Sequence, residues 1–371
     1  MNNLGSTLLD QAPFKNSHLQ SRIAMAPMTR MFSPEGIPGE DVASYYAKRA
    51  TNGVGLIITE GTAINHPAAV MSDQIPRFHG DDALQGWKRV VFEVHRAGGK
   101  IIPQLWHVGA ARKAGSLPNP EAAPVSPSGY SLKGEPVEGI HELTASEIED
   151  LVKQYANAAK DAKDIGFDGI ELHGAHGYLI DQFFWSRTNH RTDRYGGTLE
   201  KRMTFAIDIV RACRAAVGPE FPIVFRFSQW KGADYEAKIA RNSQELSTFL
   251  KPLVEAGVDI FHCSTRRIWE AEFPEEDSER NLAAWTKQLT GKPVIAVGSI
   301  GIDRAYRSEE VHDPSITDNI HWTEEQIRQG HFDYVAIGRS LLADAAWPTK
   351  LKEGQLDQVI PYSKERENEL V

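Results

Sequence analysis

Eight short apolar segments recur along the chain, and stretches with helical periodicity separate most of them. Compositions such as I-I-T-E, I-V-F-R-F and V-I-A-V are typical of parallel strands that are covered on both faces. Eight strand–helix alternations favour an α/β fold of the (β/α)8 (TIM) barrel type over an open doubly wound sheet, which stays open as the alternative. The predicted strands are residues 23–28, 56–60, 100–106, 169–173, 223–228, 260–264, 294–298 and 334–338.

Helical patterns fill most of the intervals between these strands. The stretch 143–165 opens with Thr144-x-x-Glu147, which is a capping-box pattern, and continues with apolar residues at helical spacing. Thr323 begins a similar Thr-x-x-Gln pattern and is predicted to cap a helix over 323–328. Two further predicted helices are 199–217 and 243–256, and the glycines expected to follow the four helices are Gly166, Gly218, Gly257 and Gly330.

Two long segments interrupt this alternation. Residues 110–141, after the third strand, are rich in Pro, Gly and Ser, and residues 266–280, after the sixth, carry Trp269 and Phe273 among several acids. Loops of this length inside a compact domain are often functional lids, and the second segment is predicted to be one. No break in composition divides the chain, so residues 1–371 are predicted to form a single domain.

The bulk composition excludes several classes of partner. The 371 residues carry a formal net charge of -9, whereas phosphate backbones are bound by clustered Lys and Arg, so neither nucleic acid nor an anionic membrane is expected. Two cysteines, Cys213 and Cys263, cannot ligate a four-cysteine cluster and suit a reducing compartment. No signal peptide and no apolar run of roughly 20 residues is evident, so the protein is predicted to be cytoplasmic.

The last two predicted strands end in residues that suit a phosphate group. Gly298-Ser299 follows the seventh strand and Gly338-Arg339 follows the eighth. In barrels of this kind the active site lies at the carboxyl ends of the strands, and phosphate sites commonly lie after strands seven and eight. Glycine lets backbone N–H groups approach a phosphate closely, and arginine adds a bidentate contact. The matched pair favours a phosphate site over ordinary loop glycines beside a surface arginine.

The fourth predicted strand ends in His173-Gly-Ala-His176-Gly-Tyr178. Two imidazoles three residues apart can converge on one oxygen and donate hydrogen bonds to it. A metal site would need a third ligand, which the sequence does not supply convincingly, so no metal is predicted. A pair of packed histidines with no chemical role is the remaining alternative. Tyr178 lies just beyond and can act as a general acid, although a lone tyrosine is more often a packing residue.

Arg226 interrupts an apolar run in the fifth predicted strand. A buried cation needs an anionic partner or an electron-rich acceptor. A flavin ring, whose reduced form carries charge near N1 and O2, would serve, and so would a salt bridge to Glu60 or Glu171. Gln104 can bond the same ring edge, and Trp106 can wall the pocket. The sequence has no G-x-G-x-x-G, no G-x-x-x-x-G-K-[ST] and no G-x-S-x-G, so neither a Rossmann unit nor a hydrolase elbow is supported.

Two stretches, H-G-A-H-G-Y-L-I-D-Q-F-F and N-H-R-T-D-R-Y-G-G-T-L-E-K-R, give the chain a family likeness. It resembles the old yellow enzyme family of FMN-dependent ene-reductases, from R-I-A-M-A-P-M-T-R at the first strand to V-A-I-G-R at the eighth. The resemblance implies FMN held without a covalent bond and reduced by NADPH or NADH. It also implies a ping-pong reaction, in which hydride passes through flavin N5 to the β carbon of an activated alkene: an enone, an enal, a maleimide or a nitroalkene.

The resemblance also implies a role for each candidate residue. His173 and His176 are implied to bind the carbonyl or nitro oxygen of the substrate, Trp106 to line its pocket, and Tyr178 to protonate the α carbon. The residues implied to hold the flavin are Pro27, Met28, Thr29, Gly61, Gln104, Arg226, Gly298, Ser299, Gly338 and Arg339.

The chain departs from some members of this family at two of these positions. His176 stands where the yeast-type members have Asn, and Thr29 stands where some bacterial members have Cys. Larger relatives also carry an iron–sulfur domain, which is not expected here.

Two other functions and two assembly states stay open at this point. An aldolase or isomerase barrel would use the phosphate site for a sugar phosphate. It would want a Schiff-base lysine or paired carboxylates at the strand ends, and no strand-end lysine is predicted. A flavin-storage protein would have no use for His173, His176 and Tyr178. The expected partner is a small unsaturated carbonyl or nitro compound, and both a monomer and a homo-oligomer fit this fold.

Overall fold

The computed structural model describes residues 4–302 and 314–371, and its centre is a closed barrel of eight parallel strands. Each strand pairs with the next along the chain, and the last returns to the first, with Val335 opposite Ile23. This closure confirms the predicted (β/α)8 barrel and excludes the open sheet. The strands are β1 (Ile23–Met25), β2 (Leu56–Ala63), β3 (Lys100–Trp106), β4 (Ile170–His176), β5 (Ile223–Lys231), β6 (Ile260–Ser264), β7 (Val294–Val297) and β8 (Tyr334–Ile337).

The strands lack an apolar–polar alternation because both of their faces are covered. Every residue of β2 and of β6 is buried, since one face lines the barrel interior and the other meets the surrounding helices. The predicted strands differ from the observed ones mainly at their carboxyl ends. There β2, β4 and β5 continue three residues farther than predicted, and β1 ends three residues earlier.

Helices surround the barrel. Within the described residues they are α1 (Glu40–Thr51), α2 (Asp81–Arg96), α3 (Ala145–Asp164), α4 (Leu179–Phe184), α5 (Leu199–Arg202), α6 (Thr204–Val217), α7 (Ser243–Ala256), α8 (Leu282–Thr290), α9 (Ile316–Arg328), α10 (Arg339–Ala343) and α11 (Trp347–Glu353). The predicted capping box is present at α3, where Thr144 Oγ1 accepts the N–H of Glu147 and the Glu147 carboxylate accepts the N–H of Thr144. The bounds of α7 match the predicted 243–256.

Two predicted helices are wrong in detail. The stretch 199–217 is divided at Met203 into α5 and α6. The cap predicted at Thr323 is wrong, because α9 begins seven residues earlier, behind Ser315, whose hydroxyl accepts the N–H of Asp318. Thr323 lies buried inside the helix and donates to the carbonyl of Asn319 instead. A threonine can cap a helix or can lie inside one and donate to a carbonyl of the preceding turn. The sequence pattern alone did not distinguish these two positions.

A hairpin closes the amino-terminal end of the barrel. Its strands, Ala12–Phe14 and Ser17–Leu19, pair antiparallel, and the Tyr334 hydroxyl of β8 donates to the carbonyl of Pro13. Phe14 and Leu19 pack with inward-facing apolar residues at the starts of the barrel strands. This apolar cluster fills the lower half of the barrel, at the starts of its strands.

The two long segments differ in their local structure and contacts. Residues 107–144 contain the 3-10 turn Gly109–Ala111 and a two-residue parallel ladder between Val125–Ser126 and His141–Glu142. In the segment after β6, Phe273 packs on Trp285 with ring centroids 5.9 Å apart. The other 3-10 helices of the described ranges are Ser6–Leu9, Pro34–Gly36, Leu356–Gln358 and Lys364–Asn368. No helix in residues 4–302 or 314–371 is long and apolar enough to cross a bilayer.

Candidate active site

A cavity of about 420 Å³ opens at the carboxyl ends of the strands. The candidate residues come from the ends of seven strands, and all of them line this cavity. They are Pro27, Met28, Thr29, Gly61, Gln104, Trp106, His173, His176, Tyr178, Arg226, Gly298, Ser299, Gly338 and Arg339. The remaining strand end, that of β6, contributes Ser264, Thr265 and Arg266, which sequence reasoning did not include. The rule that strand ends carry the chemistry applies equally to β6 and could have found them.

The end of β4 gathers three aromatic polar groups around one space. The rings of His173 and His176 are perpendicular, with centroids 5.1 Å apart. The Tyr178 ring stands edge-on to His173 at 5.0 Å and to Trp106 at 4.9 Å. Trp106 lies nearly parallel to His173, with an interplanar angle of 19°. Two imidazoles and a phenol therefore face the same part of the cavity, with an indole beside them.

His176 owes its position to a local departure from strand geometry. The pairing of β4 with β5 shifts register between Gly174 and His176, and His176 takes a left-handed backbone conformation with φ of 64°. A non-glycine residue in that region carries strain, on the order of 1–3 kcal/mol, and strained residues cluster at functional sites. In a regular strand His173 and His176 would point to opposite faces, and the register shift allows both of them, with Tyr178, to reach the cavity.

Both histidines are held neutral. Burial lowers the pKa of His173 and that of His176 well below the ordinary value, and the nearby Arg226 cation lowers both further. The N–H of Ala175 points at His173 Nδ1 at 3.3 Å, which places the ring proton of a neutral His173 on Nε2. His176 Nε2 lies 2.8 Å from Ser264 Oγ. This contact with Ser264 is a feature of the site that the sequence did not predict.

Arg226 is the buried cation of the site. Burial lowers its pKa, and the attraction of the Glu171 carboxylate opposes that change. Its Nη2 donates to Ser264 Oγ at 3.3 Å, while its Nε has no hydrogen-bond partner in the described residues. The salt bridge weighed in the sequence is not formed among these residues: Glu171 accepts from Gln104 Nε2 at 2.7 Å and from His262 Nδ1 at 2.6 Å instead.

Glu60, the other carboxylate weighed as a partner for Arg226, serves a different segment. Its Oε2 accepts the N–H groups of Arg30 and Met31, at 2.8 Å and 3.1 Å. It therefore fixes the backbone that follows β1, next to Thr29. Burial raises the pKa of Glu60 to about 7, although those two N–H groups act in the opposite direction.

The ends of β7 and β8 lie side by side at the cavity. Ser299 takes a left-handed conformation with φ of 56°, and its hydroxyl donates to the Arg266 carbonyl at 2.9 Å. A Cβ added to Gly298 would lie 2.5 Å from Thr265 Oγ1, so only glycine allows the segments after β6 and β7 to approach this closely. Gly338 and Arg339 begin α10 beside them. The two glycine-bearing strand ends and Arg339 are thus neighbours around one part of the cavity, as the phosphate prediction requires.

A continuous aromatic wall, which the sequence did not reveal, runs from His176 toward the segment after β6. Trp230 stacks on His176, with centroids 4.4 Å apart and planes 27° apart. Tyr235 meets Trp230 edge-on at 5.7 Å, and the Arg266 guanidinium lies 4.0 Å from the centre of the Tyr235 ring. Of the segment 266–280 only Arg266 lines the cavity among the described residues, and Asn281 ties the segment down through the carbonyl of Ile268. Closure of this segment as a lid stays a prediction.

The prediction that no strand ends in a lysine is wrong. Lys231 is the last residue of β5 and is fully buried. Its ammonium group lies 2.6 Å from Asp181 Oδ1, and Lys231 is not among the described residues that line the cavity. A Schiff-base lysine has to reach its substrate, so this lysine does not support an aldolase. Nor does any group of three or more His, Cys, Asp or Glu side chains in residues 4–302 and 314–371 suit a metal ion.

The family model for NADH:flavin oxidoreductases and NADH oxidases matches residues 12–358. The chain belongs to the NADH:flavin oxidoreductase / NADH oxidase family. Within it, an NADH oxidase of Thermoanaerobacter brockii is 35% identical over 359 residues, which cover 95% of this chain and 52% of that relative. A metal reductase of Desulforamulus reducens is 32% identical, over 96% of this chain and 50% of the relative. The chain thus spans about half the length of these two curated relatives.

Other members of the family match along nearly their whole length. The 12-oxophytodienoate reductase-like protein 1 of Arabidopsis thaliana is 31% identical over 341 residues, covering 91% of this chain and 98% of the relative. Among solved structures, morphinone reductase in complex with tetrahydroNAD superposes with a TM-score of 0.80 at 27% identity, over 97% of this chain and 93% of that one. An Old Yellow Enzyme from Pichia gives 0.81 at 25%, over 98% and 90%. These relatives confirm the resemblance to old yellow enzymes.

Proposed function

We propose that the protein is an FMN-dependent ene-reductase that uses NADPH or NADH to reduce an alkene activated by a carbonyl or nitro group. The observation that carries the proposal is the convergence of His173, His176 and Tyr178 on the cavity that also contains Arg226 and the paired ends of β7 and β8. FMN, when bound, would carry hydride from the nicotinamide to the β carbon of the alkene.

The residues around the cavity suit FMN on three counts. Arg226 is a buried cation whose Nε lacks a partner in the described residues, and the electron-rich pyrimidine edge of a flavin would supply one. Gln104 lines the same cavity, and with one N–H of Nε2 committed to Glu171 it still has a second N–H and its carbonyl oxygen to bond the same edge. Gly298, Ser299, Gly338 and Arg339 would hold the phosphate.

The remaining residues of the proposed flavin site belong to β1 and β2. Pro27, Met28 and Thr29 would line the ring from the end of β1, and Gly61 would border it from β2. Gly61 also leaves room for the substrate wall, because a Cβ there would lie 2.4 Å from the Trp106 ring.

His173 and His176 would polarise the oxygen of the substrate. Because both rings are neutral, each has one N–H to donate, and His173 holds that proton on Nε2. Donors aimed at an oxygen that gains charge stabilise the enolate-like transition state more than the ground state. Ser264 competes for His176 Nε2, so a bound substrate would exchange with it or use the other ring nitrogen.

Tyr178 would deliver the proton to the α carbon. Its ring stands edge-on to both His173 and Trp106, which fixes its direction relative to the atoms that polarise the substrate. A positioned general acid contributes about 10²–10⁴-fold to a rate. A flavin-storage protein has no need of such an acid.

The test separates the two half-reactions. The purified protein is expected to be yellow or to become so with added FMN, to bleach anaerobically with NADPH or NADH, and to regain its colour with 2-cyclohexenone. Comparing the two bleaching rates also identifies the preferred nicotinamide. A protein that cannot be reconstituted with FMN contradicts the proposal, as does one whose bleached form reacts with oxygen but never with an enone or a nitroalkene.

A further inference from the structure

The backbone of His176 is held by groups of β5 and of the residue after it. His176 N donates to Ser228 Oγ at 3.0 Å, and the carbonyl of His176 accepts the N–H of Gly232 at 3.0 Å. Ser228 is fully buried and is not among the described residues that line the cavity. Its hydroxyl in turn donates to the carbonyl of Trp230 at 2.6 Å. The left-handed conformation of His176 is therefore supported from one side by β5.

The backbone of Gly177 is held in the same way from the other side, by α4. Gly177 N donates to Asp181 Oδ2 at 2.7 Å, and the Gly177 carbonyl accepts from Gln182 Nε2 at 2.7 Å. Asp181 and Gln182 are fully buried. Together with the two bonds of His176, these contacts give a partner to every polar backbone group of the two residues that precede Tyr178. A strained backbone persists only where its surroundings determine it this completely.

Lys231 joins the two sides. Its Nζ donates to Asp181 Oδ1 at 2.6 Å and to the carbonyl of Ser228 at 3.2 Å. One cation thus bonds to two of the three residues whose side chains hold the turn at His176 and Gly177, one on α4 and one on β5. Burial lowers the pKa of Lys231 and raises that of Asp181, and the attraction between the two opposes both changes. Each charge therefore depends on the other.

Stability alone does not account for a pair of this kind. Removing two charges from water costs free energy, and replacing a buried ion pair with well-packed apolar side chains is often neutral or stabilising. Lys231 and Asp181 are not among the described residues that line the cavity, and they lie behind the turn that carries His176 and Tyr178. Their contacts therefore act on the geometry of that turn.

We infer that Lys231 and Asp181 are positioning residues, which act through Ser228 and Gly177 to aim His176 and Tyr178 at the substrate. The inference rests on the proposed function. Apart from Arg226 on β5, the proposed flavin-holding residues belong to other strand ends, so a loosened turn should impair the reaction with the alkene and leave reduction by the nicotinamide largely intact. A misplacement of about 1 Å at a reacting group can cost on the order of 10²-fold in rate.

The decisive variant removes both charges. Lys231→Met alone leaves an unpaired buried carboxylate and is expected to be less stable than wild type. Adding Asp181→Asn should restore the stability, because the variant side chain is uncharged and its amide oxygen still accepts the N–H of Gly177. In the double variant we expect a thermal midpoint close to wild type and flavin reduction by NADPH within about threefold of wild type. Reoxidation by saturating 2-cyclohexenone is expected to fall roughly 10- to 100-fold.

Leu151→Ala is the matched control, because Leu151 is buried in α3, which packs on α6 rather than on the turn. It should lower stability and leave the ratio of the two half-reaction rates unchanged. A double variant that reoxidises at the wild-type rate overturns the inference, and so does an equal loss in both half-reactions. If the wild-type protein itself is reduced but never reoxidised by an enone, the proposed function is what fails.

Discussion

The inside of the barrel changes character between its two ends. At the starts of the strands the inward positions are apolar, and the amino-terminal hairpin adds Phe14 to them. Two residues farther along β5 and β6 the inward positions become polar: Ile260 is followed by His262, and Val224 by Arg226, whereas at β1 Ala24 is followed by Ala26. Because successive inward residues of a strand are two apart, one step along β5 and β6 separates an apolar layer from a layer of buried polar and charged groups.

The two layers differ in whether the protein's own groups satisfy their packing and hydrogen bonding. The apolar layer is filled by its own side chains. The polar layer leaves Arg226 Nε and His262 Nε2 without a partner among the described residues, and an unsatisfied buried polar group costs about 1–3 kcal/mol. The lower layer therefore serves stability, and the upper layer is built for a bound group. A change confined to one layer should therefore leave the role of the other unaffected.

The largest effect on chemistry is expected from Tyr178→Phe, at the top of the barrel. Loss of the phenolic proton should slow reoxidation by 2-cyclohexenone by about 10²–10⁴-fold. Flavin reduction by NADPH and the thermal midpoint should stay near their wild-type values, because the substitution removes one hydroxyl from the cavity. Rapid-mixing absorbance of the flavin measures both half-reactions, and an equal loss in the two would exclude Tyr178 as the proton donor.

Phe14→Ala, in the lower half, should give the opposite pattern. Phe14 is 1% exposed, and its truncation should lower the free energy of unfolding by about 3–5 kcal/mol. Both half-reaction rates should be unchanged at temperatures where the variant stays folded. Denaturant unfolding and rapid mixing on the same preparation provide the comparison. A selective loss of the enone reaction would show that the two halves are not independent.

The contrast between the halves also marks what the sequence could predict. The eight strands and the residues at seven strand ends follow from local pattern, because apolar runs predict strands and an arginine between two phenylalanines reveals a polar inward position. The candidate residues share one cavity because parallel strands bring their carboxyl ends together. The number of alternations favoured a closed barrel, and the pairing of β8 with β1 was needed to exclude the open sheet.

What the sequence did not predict depends on contacts between distant residues. Lys231 and Asp181 are 50 positions apart, and nothing local shows that a lysine at a strand end will turn away from the cavity. The contact of His176 with Ser264 spans 88 positions. The left-handed conformation of His176 has no sequence pattern of its own, since it arises where β4 and β5 shift register.

A pH-dependent effect is expected from Glu60 in the upper half. Its pKa is raised to about 7 in the folded protein, above the value of about 4.5 for an unperturbed glutamate. Folding therefore favours the protonated form, so the stability that this group contributes is complete below pH 4.5 and is lost as the pH rises through 7. The shift corresponds to about 3 kcal/mol.

Glu60→Gln should remove this dependence. Its amide oxygen can still accept the N–H groups of Arg30 and Met31, and the side chain carries no charge to bury. Above pH 7 the variant should therefore be more stable than wild type by about 3 kcal/mol, and near pH 4.5 the two should agree. Urea unfolding at several pH values measures the difference. A constant offset across this range would mean that Glu60 is not protonated on folding.

The smallest effect is expected from His176→Asn, which keeps a donor at the proposed oxygen-binding position. Asparagine is among the residues that best tolerate a left-handed backbone, so the turn should keep its form. The amide can donate to the same oxygen, while the stacking on Trp230 is lost. Reoxidation by an enone should change by less than about tenfold, which is the size of one ordinary hydrogen-bond difference.

His176→Ala, which has no donor, is the comparison that gives this small effect its meaning. Removing a donor aimed at a charge that develops in the transition state costs about 10²–10³-fold. The alanine variant should therefore reoxidise far more slowly than the asparagine variant, with flavin reduction alike in both. If the two variants were equally slow, His176 would contribute its stacking on Trp230 rather than a donated hydrogen bond. The polar layer would then act at this position through packing, as the apolar layer does.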